Sequence, residues 1–389
     1  MNKLSKVGIF SLMLTASLTI MVGSVITPAL IDISQHYGVE EMATWLTTLP
    51  ALGVVLFAPL AGRLIDRVGS YLSLCIGLVL YGALGVSAIW LSGTIPIFTD
   101  RILLGGATAI VMASSTGLLA EFFVGEERLK MVALQGMSIE TGGIIFLSIG
   151  GVLGGLGWQW PFMIYLIAWV ALLFILIFVP YKKSVVKEEA QEPKTRSMRT
   201  IFPVLLSALL AMTMFFIAFI TLPFYLADHF QLGSATTGYF LAMISFVAVI
   251  SASIMPKMVK KLTDYKTLLT GFTLFTLGFF LLIIGQSLLI ITIIAGIVIG
   301  FGFGFTIPLA NHMVVEKSNV SNRGRNLAYF SSFTFLGQFL SSLVEGTSTN
   351  LVILYSVAIS IGILVILFYS LWLKKSSARQ MVQAQKSSF

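Results

Sequence analysis

The chain carries twelve stretches that are apolar over about 20 residues, the length a helix needs to cross the hydrocarbon core of a bilayer. They fall at 7–29, 44–61, 71–92, 98–120, 132–154 and 161–180, and again at 201–226, 236–256, 266–286, 288–312, 326–345 and 350–373. Of its 389 residues 57% are hydrophobic and only 10% charged, against about 25% charged in an ordinary soluble domain. So much apolar surface needs lipid as its solvent, and the residues left over are too few for a soluble domain. Lys3 and Lys6 followed by an uncharged run from Val7 to Ile26 resemble a signal peptide. The run is too long for a usual signal core and lacks a cleavage site, so it reads as the first span.

Charge placement tests this map, because cytoplasmic loops are rich in Lys and Arg. With the N-terminus inside, 23 of the 24 basic residues fall in cytoplasmic segments, and the exception is Arg101. An odd number of spans would scramble that pattern. The expectation is therefore a multi-pass plasma-membrane protein with both termini in the cytoplasm, and a monomer. The net charge of +8 invites a nucleic-acid reading. The basic residues are scattered through short loops rather than gathered on a patch, so nucleic acid is excluded as a partner. A lone Cys75 rules out an internal disulfide, three histidines without ligand spacing make no metal site, and no cofactor is expected.

The only long polar stretch between spans, 182–200, divides an N-terminal bundle (1–181) from a C-terminal one (201–373), with a polar tail at 374–389 expected to fray. The halves resemble each other at an offset near 195. Gly142 and Gly150-Gly151 align with Gly337 and Glu345-Gly346, Gly105 with Gly300, and Pro59 with Pro256. The fold class is thus an all-α membrane protein of twelve transmembrane helices in two pseudo-symmetric six-helix bundles, an arrangement common in secondary transporters.

Between spans 2 and 3 the chain reads Gly62-Arg63-Leu64-Ile65-Asp66-Arg67-Val68-Gly69. This resembles the signature loop of the major facilitator superfamily, Gly-x-Leu-x-Asp-Arg-x-Gly followed by two basic residues. Three further segments are similar to that family: Ile26 to Ile33 with Pro28, Arg101 followed by Gly105, and Gly157-Trp158-Gln159-Trp160-Pro161-Phe162. There are departures. Ser70 and Tyr71 stand where two basic residues are usual, and Leu104 replaces a Gln. In span 5, Phe146-Leu147 replace the Gly-Pro of the drug:proton antiporter motif, although Gly142 and Gly150-Gly151 remain. The resemblance implies a cytoplasmic gate formed by Gly62, Asp66, Arg67 and Gly69, with Asp66 near the start of span 11 and Arg67 pairing with Glu121. A solvated loop with topogenic charges is the plainer alternative. The resemblance also implies a central cavity lined by spans 1, 4, 7 and 10.

Glu140 is the sharpest single residue. It lies about nine residues into span 5, roughly 14 Å deep at 1.5 Å per residue. Gly136, Glu140, Gly143, Leu147, Gly150 and Gly154 share a face at helical spacing. Small residues let another helix approach closely, so Gly136, Gly143, Gly150, Gly151 and Gly154 are expected to pack against protein, with Glu140 pointing inward. A carboxyl in low dielectric holds its proton more tightly, and a nearby cation loosens that hold. Glu140 is therefore the candidate proton-coupling group, with Arg101 as a modulator. Direct binding of a cationic substrate and a buried structural Glu are the alternatives. Arg101 stays charged, and an intramembrane charge usually faces the bundle interior. Its plainer reading is pairing with Asp100 at the headgroups.

Phe215, Phe216, Phe224, Tyr225 and Gln338 are candidates to line a substrate cavity. Asp32, Asp228-His229 and Glu345 read as interfacial, with an outer proton relay as the alternative. The run Gly300 to Phe305 before Pro308 suggests either a broken segment beside a cavity or close packing. No nucleotide-binding loop appears, so the energy source is an ion gradient. The expected function is proton-coupled efflux of hydrophobic or amphipathic small molecules, with small molecule, protons and lipid as partners. The alternatives are a single-metabolite exporter, a proton symporter for a sugar or siderophore, and, from another class, a membrane enzyme or transport-dead receptor. No catalytic cluster supports an enzyme.

Overall fold

The computed structural model describes residues 4–181, 197–318 and 322–387. Eleven helical runs among them are long and apolar enough to cross a membrane: Lys6–Tyr37, Trp45–Trp90, Thr94–Phe122, Gly125–Gly154, Trp160–Phe178, Thr200–Phe230, Ser234–Leu262, Asp264–Ser287, Leu289–Glu316, Arg323–Glu345 and Leu351–Leu371. The second run has 46 residues, roughly 70 Å of helix, more than twice the bilayer core of about 30 Å. It is two spans, divided where Gly69 leaves helical geometry at φ 83°, ψ 163°. The runs therefore hold twelve spans, numbered here in chain order. The expected open loop at 62–70 is absent. Helix continues to either side of one glycine, which adopts the backbone angles of the reversal without a steric penalty.

The second half repeats this device. Thr263, between spans 8 and 9, has φ 80°, ψ 161°, within a few degrees of Gly69 at an offset of 194. A β-branched residue in this essentially glycine-only region is strained by about 1–3 kcal/mol.

Two spans are broken where proline occurs. Span 1 starts behind Ser5, whose hydroxyl accepts from the Gly8 amide at 3.0 Å, and is helical over Lys6–Ser24. It restarts at Leu30 after a short turn containing Pro28. Span 10 divides into Leu289–Gly304 and Ile307–Glu316, with Pro308 opening the second piece. The glycine run before the break also serves packing. A Cβ on Gly302 would meet Phe275 of span 9 at 3.0 Å, and one on Gly304 would meet the Ala248 carbonyl of span 8 at 2.7 Å. Thr306 Oγ1 donates to the Gly302 and Phe303 carbonyls at 2.9 and 3.1 Å, so the break leaves those acceptors satisfied.

Most of the expected linker, 182–196, lies outside the described residues. At the other end the helix of span 12 runs on to Ser387 instead of fraying at Lys374. The stretch is rich in Ala, Gln, Lys and Arg, all good helix formers.

By contacts the chain groups into two units. One comprises Met1–Thr195 with Phe219–Phe246 and Gln338–Gly346; the other comprises Arg196–Ala218, Val247–Gly337 and Thr347–Phe389. The division thus cuts across the two sequence halves. The first unit is held by an apolar core that includes Leu12, Leu18, Met21, Leu74, Leu78, Leu104 and Phe162. Tyrosines tie its helices by their hydroxyls: Tyr81 donates to the Leu18 carbonyl at 2.6 Å, Tyr165 to Val22 at 2.7 Å and Tyr37 to Ala88 at 2.6 Å. In the second unit Phe279 packs on Tyr355, and Thr213 donates to the Gly337 carbonyl at 3.1 Å.

Candidate functional site

Span 5 presents three differently used faces. Gln135, buried, donates its amide to Ser115 and Thr116 of span 4 at 3.3 and 3.1 Å. Gly142 meets span 1, where an added Cβ would lie 2.7 Å from Ser17 Cβ; Gly150 abuts the Val25 backbone and Gly154 the Ala29 side chain of the same span. Leu147 and Gly151 meet Gly238 of span 8, whose added Cβ would lie 2.8 Å from Gly151 Cα. Glu140 is seven residues before Leu147 and eleven before Gly151, which puts all three within about 20° of one line along the helix. Its side chain is half-buried, with no ion-pair or hydrogen-bond partner among the described residues.

The glycines expected to pack do so unequally. Gly143 makes only ordinary contact, 3.5 Å from Ile20 Cγ1. Gly136 is exposed, and an added Cβ would meet nothing within 4 Å. It departs from the packing expectation because, one turn before Glu140, no other helix among the described residues lies against that face.

Arg101 pairs with Asp100, the partner of its plainer reading, and not with Glu140. Its Nη2 donates to Asp100 Oδ2 at 2.6 Å and to the Leu84 carbonyl at 3.3 Å, and its Nε to the same Asp100 oxygen at 3.1 Å. Ser87 donates to Asp100 Oδ1 at 2.9 Å. The guanidinium carbon sits 5.3 Å from the Phe162 ring centre and 5.6 Å from that of Tyr165, a cation–π setting. Arg101 is fully buried, so it does not snorkel to the headgroups. It shares no ion pair or hydrogen bond with Glu140 among the described residues. The pair is a rivet joining spans 3, 4 and 6, and modulation of Glu140 by Arg101 is set aside. Beside it, Trp158 stacks on His36 with ring centres 3.5 Å apart.

At the span 2–3 turn, Asp66 and Arg67 are exposed, and Gly62 has open space around it. Ser70, where the family has a basic residue, is buried and donates to Glu121 Oε1 of span 4 at 2.6 Å. It also lies against Gly117, whose added Cβ would come within 2.7 Å of the hydroxyl. The departure from the family pattern thus supplies a strut.

The proposed cavity residues lie in well-packed places. Phe215 is buried, with its ring centre 4.4 Å from Phe303 and 5.9 Å from Phe216. Tyr225 is fully buried, 4.7 Å from the His229 ring. Gln338 is buried, with its amide nitrogen near Gly23 of span 1.

Gln338 starts a polar stripe that sequence reasoning passed over. On span 2, Thr44, Thr47 and Thr48 share a face; on span 11, Gln338, Ser341, Ser342 and Glu345 do the same. Thr44 donates to Glu345 Oε2 at 2.8 Å, Thr48 and Ser342 share a hydroxyl hydrogen bond, and Trp45 meets Phe339 edge-on at 6.0 Å. Thr27 of span 1 lies 3.5 Å from Thr47. The matching i, i+3, i+4 spacing of polar residues in two apolar spans was the signal that could have revealed it.

Comparison with known proteins gives a consistent picture. The model of the Major Facilitator Superfamily matches residues 12–342 and 204–388. The chain is 27% identical over 326 residues to the tetracycline resistance protein, class D, of Salmonella ordonez, covering 78% of this chain and 77% of that one. It is 28% identical over 155 residues to the multidrug transporter protein MdtP of Bacillus subtilis, covering 39% of this chain but only 29% of the relative's length. The quinolone resistance protein NorA of Staphylococcus aureus is 27% identical over 112 residues, 29% of each chain. Among solved structures, a bacterial homologue of the human lysosomal transporter Spinster has a TM-score of 0.76 at 13% identity, covering 93% of this chain and 95% of that one. The E. coli xylose transporter XylE has 0.72 at 16%, covering 93% and 94%. At such identities the likeness speaks for the fold alone.

Proposed function

The chain belongs to the Major Facilitator Superfamily, and on that premise we propose that it exports hydrophobic or amphipathic small molecules in exchange for protons, by alternating access. It is a multi-pass membrane transporter, not an enzyme. The printed names of three relatives, for multidrug transport, tetracycline resistance and quinolone resistance, support an efflux direction and an apolar substrate class. We assign the chain to the plasma membrane as a monomer; the bias of basic residues favours both termini in the cytoplasm.

The observation that carries the coupling reading is Glu140. It is a half-buried carboxyl in mid-span without an ion-pair partner among the described residues. Moving an ionised carboxylate out of water costs far more than moving the neutral acid. A helix face bearing Glu140 therefore closes readily only once the group is protonated. Proton binding from one side and release to the other then become part of the cycle. Phe215, Phe216, Tyr225 and Gln338 are the side chains we assign to substrate contact once the packed state opens. The turn at Gly69, braced by Ser70 on Glu121, is the gating element, with Gly62, Asp66 and Arg67 on its exposed side.

A second reading, proton symport or export of one metabolite, draws on span 5 itself. Leu147 stands where antiporters carry proline, and its backbone packs against Gly238. The two readings differ in the sign of the substrate-driven proton flux. Expression in an efflux-deficient bacterium should raise tolerance to tetracycline and to a quinolone, and Glu140→Gln should return it to the vector level. Full tolerance with Glu140→Gln, at equal expression, would remove the coupling role. Unchanged sensitivity with the wild-type chain would favour the single-metabolite reading.

A further inference from the structure

We infer that Gln135 is a positioning residue for the coupling carboxyl: its amide clamp on span 4 sets the rotation of span 5 about its own axis, and with it the direction Glu140 faces. The inference rests on the coupling role proposed for Glu140.

The clamp is fully formed. Ser115 and Thr116 donate their hydroxyl protons to the Met112 carbonyl at 3.1 and 3.0 Å. Their oxygens remain free to accept, and the two N–H bonds of the Gln135 amide use one each, at 3.3 and 3.1 Å. The amide and Ser115 are buried, which strengthens the bond between them; Thr116 is exposed. Five residues separate Gln135 from Glu140, about 140° of rotation at 100° per residue. Holding Gln135 against span 4 therefore turns Glu140 away from span 4 and onto the line of Leu147 and Gly151.

Phe146 and Leu147 are buried and lodge the C-terminal half of span 5, but among the described residues of 125–143, the half that carries Glu140, Gln135 is the only buried side chain. Span 5 meets span 1 through Gly142, Gly150 and Gly154, and span 8 through Gly151. Glycine faces allow close approach but present no side chain to lodge between neighbours. Without the clamp, the half of span 5 that carries Glu140 can turn while Phe146 and Leu147 stay seated. Glu140 would then lose its fixed setting before the fold is lost.

Two sets of changes remove the clamp from opposite sides. Gln135→Met keeps the side-chain volume and leaves Ser115 and Thr116 bonded to Met112. Ser115→Ala with Thr116→Val removes the acceptors and keeps Gln135. The first measurement is carbodiimide labelling of Glu140 in the full chain in lipid nanodiscs, followed by peptide mass spectrometry across a pH series; it needs no knowledge of the substrate. Each set is expected to change the labelling rate several-fold and to move its pH midpoint. The two together should do no more than either alone, since they break one interaction. A merely structural role would lower thermal stability without moving the midpoint.

The second measurement is proton-driven tetracycline transport in proteoliposomes. Gln135→Met should lower the protons moved per tetracycline. In a Glu140→Gln background it should leave the residual downhill flux unchanged, and a further loss there would mean that Gln135 acts elsewhere. Wild-type labelling of Gln135→Met, beside a Glu140→Gln protein that is uncoupled, overturns the inference alone. A Glu140→Gln protein that still couples tetracycline to protons removes the coupling reading and the inference with it.

Discussion

Neutralising Asp100 would strand a fully buried guanidinium. Asp100 supplies the only carboxylate bonded to Arg101 among the described residues, and Ser87 and the Leu84 carbonyl complete the cluster. Breaking a buried pair by removing one partner costs about 3–5 kcal/mol, whereas replacing both partners with apolar side chains costs much less. Asp100→Asn should therefore lower the unfolding temperature in detergent markedly, and Asp100→Leu with Arg101→Met should recover most of the loss. Equal stability of Asp100→Asn and the wild type would show that the rivet is not needed. Asp100 was legible in sequence as one of two readings for Arg101, but the burial of the pair was not. Adjacent residues on a helix point about 100° apart, and only the length of the arginine side chain lets it turn back to its neighbour. Glu140 was easier, because a carboxyl among glycines in mid-span stands out by spacing alone. Its lack of an ion-pair partner needed coordinates.

Each glycine of span 5 makes its own prediction. Gly150 lies against the Val25 backbone, so Gly150→Ala must push spans 1 and 5 apart, and overpacking of this kind costs typically 1–3 kcal/mol, of order. Gly136 faces open space, so Gly136→Ala should be neutral or stabilise by up to about 1 kcal/mol through helix propensity. Thermal unfolding of the two variants should move in opposite directions. The turn between spans 8 and 9 gives a third test. Thr263→Gly relieves strain of about 1–3 kcal/mol, less the entropy glycine adds to the unfolded chain, and should raise the unfolding temperature; a fall would argue against the strained geometry. The sequence repeat was visible in glycines and prolines, but not here. A threonine hides a turn that Gly69 marks plainly, and only the near-identical backbone angles connect them. The break in span 10 was legible from Pro308 and the glycine run. Its second use, in packing against spans 8 and 9, was not, since sequence does not say which helix lies beside a glycine.

At the scale of the molecule, the twelve spans followed from length and charge alone, because lipid leaves a chain few options. Sequence halves did not predict how the contacts group. Parts of spans 7, 8 and 11 join the first unit, and the hydroxyl stripe of spans 2 and 11 helps explain why. Thr48→Val with Ser342→Ala removes one rung of that stripe and leaves Thr44 bonded to Glu345. Interhelical hydrogen bonds in membranes are worth roughly 0.6 kcal/mol each. The variant should therefore remain folded, with a small drop in unfolding temperature. A large drop would mean that the stripe is a principal support of the first unit.

The central claim is that one carboxyl in span 5 carries the proton that drives transport. Inside-out vesicles with an acid interior and a pH-sensitive dye inside report it directly. Added tetracycline should raise the interior pH as protons leave in exchange for drug, and vesicles carrying Glu140→Gln should show no such response. Proton release by Glu140→Gln at the wild-type rate would contradict the account.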